Sequence, residues 1–120
     1  MIPTPQQAYE LLEQYNSDPF HLAHGRIVGE TLRWFAEDMG HADEADLWQV
    51  VGTLHDLDFE RWPEEHCVRE EALMREAGID EVIVRACASH GWGLTDTPYE
   101  PESDLERALF AVDELTGLIG

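Results

Sequence analysis

The stretch Leu47-Trp48-Gln49-Val50-Val51-Gly52-Thr53-Leu54-His55-Asp56 decides how this chain reads. Leu47, Val50, Val51 and Leu54 recur at the spacing of one helical face, and that face runs straight into a His-Asp doublet. Asp43 stands where an N-cap for this helix is expected. Working outward, the same period continues in both directions. Upstream, Thr4-Pro5 reads as an N-cap followed by proline in the first turn, with Ala8, Leu11, Leu12 and Tyr15 behind it. After the break Asn16-Ser17-Asp18-Pro19, residues 20–39 place Phe20, His24, Ile27, Val28, Leu32 and Phe35 on one stripe, and Gly40 ends the run.

Downstream, a loop over 57–63 stops at Pro63, and a fourth helix is expected over 64–77, ending at Gly78. A fifth, from Asp80, carries Ile83, Ala86, Cys87 and His90 on one face. A Gly- and Pro-rich loop fills 91–101. Ser103-Asp104-Leu105-Glu106 then forms a capping box that opens a last helix with Leu105, Leu109, Val112, Asp113 and Thr116 on its stripe. The expectation is an all-α chain: one compact domain over 1–120, a bundle of about six helices, with no repeat and no dividing linker.

Composition narrows the function. The chain has 120 residues and a formal net charge of −19, with 26 Asp and Glu against seven Arg and no Lys. A nucleic-acid duplex or an anionic membrane is therefore not an expected partner. Without lysine there is no Schiff-base chemistry and no P-loop lysine. A hydrophobic fraction of 43% still allows a core, so the acid is expected on the surface, in runs such as Glu64-Glu65 and Glu100-Pro101-Glu102. Cys67 and Cys87 do not make a secreted disulfide framework, and residues 1–7 have no leader-like pattern, so a soluble cytoplasmic protein is expected.

The informative anomaly is polar residues on apolar stripes. His24, His55 with Asp56, His90 and Asp113 each fall on, or at the end of, a face that should be buried. Burying imidazole or carboxylate without a partner costs a few kcal/mol or more, so several converging groups call for one cause. A bound ion supplies it, and a mixed imidazole and carboxylate set suits Zn, Fe, Mn, Co or Ni. Taken singly, each histidine could instead be a satisfied core or capping residue. Asp113 differs, because a carboxylate in the middle of an apolar face is rarely buried unless paired or coordinating. His21 and His41 read as a loop-end and a turn residue, and Trp62 and Trp92 as pocket-wall candidates.

The order His24, then Leu54-His55-Asp56-Leu57-Asp58, then Ser89-His90-Gly91, then Ala111-Val112-Asp113-Glu114-Leu115 resembles the H…HD…D signature of the HD-domain superfamily of metal-dependent phosphohydrolases. The likeness covers residues 20–119 and is nearest to small bacterial HD-domain hydrolases. It implies a helical bundle with a divalent transition metal held by His24, His55, Asp56 and Asp113. It also implies, in two-metal members, a second ion that shares Asp56 and takes further histidines, for which His66 and His90 stand in position. The cyclic-dinucleotide branch is disfavoured, because Gly91 stands where that branch has a second histidine.

The implied activity is hydrolysis of a nucleotide or another small phosphorylated metabolite by metal-activated water. Asp56 has the central role and Asp58 is a candidate to orient the water. Arg61 is a candidate phosphate clamp, its alternative being an ion pair with Glu60 or Glu64. Two other functions stay open: an HD-type di-iron oxygenase, and a non-enzymatic module that retains the metal.

Overall fold

The computed structural model describes residues 2–65, 68–92 and 99–119 and is all-helical, with no strand among them. Six α-helices follow one another: α1 (Pro5–Tyr15), α2 (Pro19–Asp38), α3 (Ala45–Leu54), α4 (Val68–Glu76), α5 (Glu81–Ser89) and α6 (Asp104–Ile119). Short 3-10 turns at Ala42–Glu44 and Pro63–Glu65 precede α3 and α4. The radius of gyration is 12.7 Å, close to the roughly 13.6 Å of a compact chain of this length. His66 and Cys67 lie outside the described residues, as do 93–98 of the loop before α6.

Local signals set most helix ends. Thr4 accepts from the Gln7 amide while the Gln7 side chain accepts from the Thr4 amide, a reciprocal box that starts α1. Asp80 caps α5 through the Val82 amide. Ser103 and Glu106 form the expected box at α6. Gly40 and Gly78 both take positive φ, 85° and 76°, where a side chain would be strained. Asp43 is not a cap: it lies inside the 3-10 turn, and α3 starts one residue later than expected, with Glu44 at the N-cap and no side-chain hydrogen bond. The fourth helix begins at Val68 rather than 64, because 63–65 close as a separate 3-10 turn.

The face of α2 also differs from expectation. Phe20 and Ile27 are 62% and 49% exposed, and the helix instead buries Gly25, Val28, Gly29, Leu32 and Ala36. The reason is the crossing with α3, the most extensive helix pair of the fold. A Cβ on Gly52 would lie 2.7 Å from Gly29 Cα and 2.8 Å from the Val28 carbonyl oxygen. Backbones in contact leave room only for hydrogen, so the glycines, not the large apolar residues, mark the buried side. This close crossing brings the middle of α2 against the end of α3, where His24 and His55 meet. Around it, Leu12, Leu32, Trp48, Val50, Val51, Leu54, Ile83 and Leu109 form a continuous core.

Candidate metal centre

His55 is the C-cap of α3 and fully buried. Its Nδ1–H donates to the Gly52 carbonyl at 2.5 Å, satisfying an acceptor that the helix end leaves unpaired. That bond fixes the ring and turns Nε2 toward the cluster, as ligand histidines require. His90 repeats the arrangement at the end of α5, where its Nδ1–H donates to the Cys87 carbonyl. Two helices thus end in the same way, each presenting Nε2 inward.

His24 Nε2 lies 3.3 Å from Asp56 Oδ2, 3.6 Å from Asp113 Oδ1 and 3.3 Å from His55 Nε2. His55 Nε2 in turn lies 3.3 Å from Asp56 Oδ2 and 3.1 Å from Asp113 Oδ1. Donor atoms of all four residues fall within 4.8 Å of one another. Four ligands about 2.1 Å from one ion, arranged tetrahedrally, are roughly 3.4 Å apart. These edges match that cage, with the two imidazole nitrogens 3.3 Å apart and both facing the same two carboxylates. The donor set therefore fits a divalent transition metal.

Electrostatics hold the cage together without an ion. The hydrogen bonds to Asp113 and Asp56 raise the His24 pKa from 6.5 to about 9, against an opposing effect of burial. Burial alone would lower the His55 pKa, yet the Asp56 charge and the contact with Asp113 lift it well above the ordinary value. Burial would raise the Asp113 pKa, but its bonds to His24 and His55 hold it well below the usual carboxylate range. Protons on the two imidazoles take the place of a cation between two carboxylates.

One side of the cage faces outward. The Asp113 side chain is 30% exposed while that of His55 is wholly enclosed. Beside the opening, Phe20 lies parallel to His24 with ring centroids 6.4 Å apart, and His21 packs on Phe59, itself 41% exposed. His21 is thus half-buried in an aromatic rim rather than a plain loop-end residue. Its neighbours Asp18 and Glu60 bring donor atoms close, but both Glu60 oxygens accept backbone amides, those of Ser17 and Asp18 at 2.8 Å. That carboxylate ties the loop to the start of α2.

The remaining sequence candidates divide. His90 joins the centre through Asp56 Oδ1 at 3.3 Å. Asp58 is fully buried, and its Oδ2 accepts the Glu70 amide at 2.9 Å, a contact that supports the first turn of α4. Arg61 donates to the Gln14 carbonyl at 3.1 Å with its guanidinium over the Tyr15 ring, which ties the loop to the end of α1. The Trp62 ring packs on Tyr15, and Trp92 is 40% exposed. His41 is not a solvated turn residue: it stacks on Trp48 and meets Asp104 at 3.1 Å. Sequence reasoning missed Asn16, whose side-chain amide bonds the Leu12 and Leu57 carbonyls and pins the chain beyond the doublet. It also placed the acid other than Asp56 and Asp113 on the surface, whereas Asp58, Glu70 and Glu106 are buried. Glu106 is paired with Arg85 at 3.2 Å.

Among the described residues, no helix is long and apolar enough to cross a membrane. Comparison with protein-family models, curated proteins and solved structures found no match for this chain.

Proposed function

We propose that this chain is a metal-dependent phosphohydrolase of the HD-domain type, acting on a nucleotide or another small phosphorylated metabolite. The observation that carries the reading is the four-residue cage of His24, His55, Asp56 and Asp113, with ligand-like edges and one open side. An ion bound there would supply an acidified water and a Lewis-acid contact for a phosphoryl oxygen. Asp56 and Asp113 contribute the negative charge that holds a divalent cation. His24 and His55 contribute neutral nitrogens, so each gives up its proton when metal enters. Phe20 and Phe59 offer apolar faces beside the opening, suited to a base or another planar group. Two of the chain's 26 acids are thereby neutralised at the site, which reconciles an anionic substrate with a formal charge of −19.

The test is metal content and phosphate release, measured together. Purified wild type should carry a transition metal and release phosphate from part of a phosphoester panel, and Asp56→Ala should lose both. Equal metal in the two proteins would sink the site. Oxygen uptake with two irons per chain and no phosphate release would select the oxygenase alternative. Bound metal with no turnover of either kind would select the non-enzymatic one.

A further inference from the structure

The outer face of α2 holds large apolar side chains open to solvent. Phe20, Ile27 and Trp34 are 62%, 49% and 59% exposed, while the same helix buries Val28, Leu32 and Ala36 on its inner side. The three stand seven residues apart, and a straight helix drifts only about 20° over each such step, so they form one line along the helix. Between them, four residues to either side of Ile27, stand the small residues Ala23 and Thr31, both partly buried. The Thr31 hydroxyl donates to the Ile27 carbonyl at 2.8 Å, so covering this position leaves no donor unpaired. On one flank of the line lie Arg26 and Glu30, both exposed and one turn apart.

The pattern reads the same from either end: aromatic, small, Ile27, small, aromatic. A surface that meets itself across a two-fold axis requires that property, and an unrelated partner would not. We propose that the outer face of α2 pairs antiparallel with the same face of a second copy of this chain, with Ile27 at the two-fold axis. Phe20 then meets Trp34 of the partner subunit at each end, and Ala23 meets the partner's Thr31, where small side chains let the two helices approach closely. Because Arg26 and Glu30 lie on the same flank, the axis carries Arg26 to the side of the partner's Glu30, and two opposite-charge pairs border the apolar line. At exposures of about half, the three large side chains offer on the order of 350 Å2 of apolar surface. Interfaces are roughly 60% apolar, which scales this to about 600 Å2 per copy, the lower end of specific dimers and the range of a reversible, micromolar one. The pairing does not depend on the metal cage, but it borders it. Phe20 lies parallel to His24, so the partner's Trp34 becomes a wall beside the open side.

Sedimentation equilibrium of the full chain reads the pairing directly, at about 0.3 M salt so that the mutual repulsion of two chains of charge −19 is screened. Wild type is expected to pass from monomer to dimer between about 1 and 200 µM. Ile27→Glu sets two carboxylates against each other at the axis and should weaken the dimer at least about 30-fold, with helix content unchanged because the residue is half exposed. Arg26→Glu should weaken it about tenfold, and adding Glu30→Arg should restore it, which association through another face would not show. A chain that is still monomeric at about 200 µM overturns the proposal and leaves the line to another protein or to a lipid surface. A dimer that Ile27→Glu forms as tightly as wild type, or that the exchanged charges fail to restore, overturns it as well and places the contact elsewhere.

Discussion

Two groups of acids in the interior meet their charge in different ways. On the α2 side, His24 and His55 stand between Asp56 and Asp113, every donor within 3.6 Å of an opposite partner. On the α4 side, Glu70 has burial and neighbouring carboxylates but no facing cation. The first cluster is stable with protons alone. The second has no such pairing, and the contrast teaches that a buried carboxylate facing imidazoles keeps its charge, whereas one facing other acids is pushed toward its neutral form.

Breaking the first side should have the largest effect. Asp113→Asn removes one of its two carboxylates; we expect loss of bound metal and a fall in turnover of at least about a thousandfold, checked by elemental analysis and phosphate release. Gly52→Val attacks the geometry and not the chemistry. With backbone 2.7 Å from the new Cβ, α2 and α3 must part; a destabilisation of about 3 kcal/mol or more in chemical denaturation is expected, together with weakened metal binding.

Replacing each cluster's buried polar residue by methionine sharpens the comparison. In metal-free protein, His55→Met should destabilise, since it strips Asp113 and the Gly52 carbonyl of a partner. Glu70→Met should stabilise by about 1–3 kcal/mol, because an unpartnered acid gives way to an apolar side chain of similar volume. A Glu70→Met protein that melts lower than wild type would mean the carboxylate is satisfied after all.

The pH dependence follows from the first side. The folded pKa of His24 is raised to about 9, so its stabilisation is complete below its ordinary value of 6.5 and is lost as pH climbs through 9. The folded pKa of Asp113 is depressed, so its share is present above the ordinary carboxylate value and fades as pH falls. Metal-free protein should melt highest between about pH 4 and 6.5, and His24→Gln should flatten the alkaline decline. Metal affinity should run the other way, rising toward pH 9 as the proton leaves His24. Smallest of all, Arg61→Ala should change stability by under about 1 kcal/mol and leave KM unaltered. A KM rise above tenfold would return Arg61 to the phosphate.

Much of the fold was legible because caps and periodicity are local. Thr4, Asp80, Ser103 with Glu106, Gly40 and Gly78 end helices as their chemistry demands, and the doublet at the end of α3 announces the centre. The face of α2 was not legible, because hydropathy scores Gly25 and Gly29 as blanks while packing makes them the point of closest approach. Glu70 was invisible for a related reason. It stands in a polar helix where an acid reads as solvated, and only the position of α4 against α5 and the Asp58 carboxylate buries it. Asp58 and Arg61 follow Asp56 closely in sequence, and the contacts they make in the turn after α3, with the Glu70 amide and the Gln14 carbonyl, join segments that no local pattern links.

The histidine caps have a consequence for how the protein is made. The rings of His55 and His90 are set by carbonyls three residues behind them, so each can take its orientation as soon as its own helix forms, before any docking. His24 and Asp56 also precede the last helix. Asp113 alone comes from α6, more than fifty residues after the doublet. On a ribosome the four-residue cage would stand three-quarters built and unable to close until α6 emerges, so a metal held there as proposed would report the arrival of that helix.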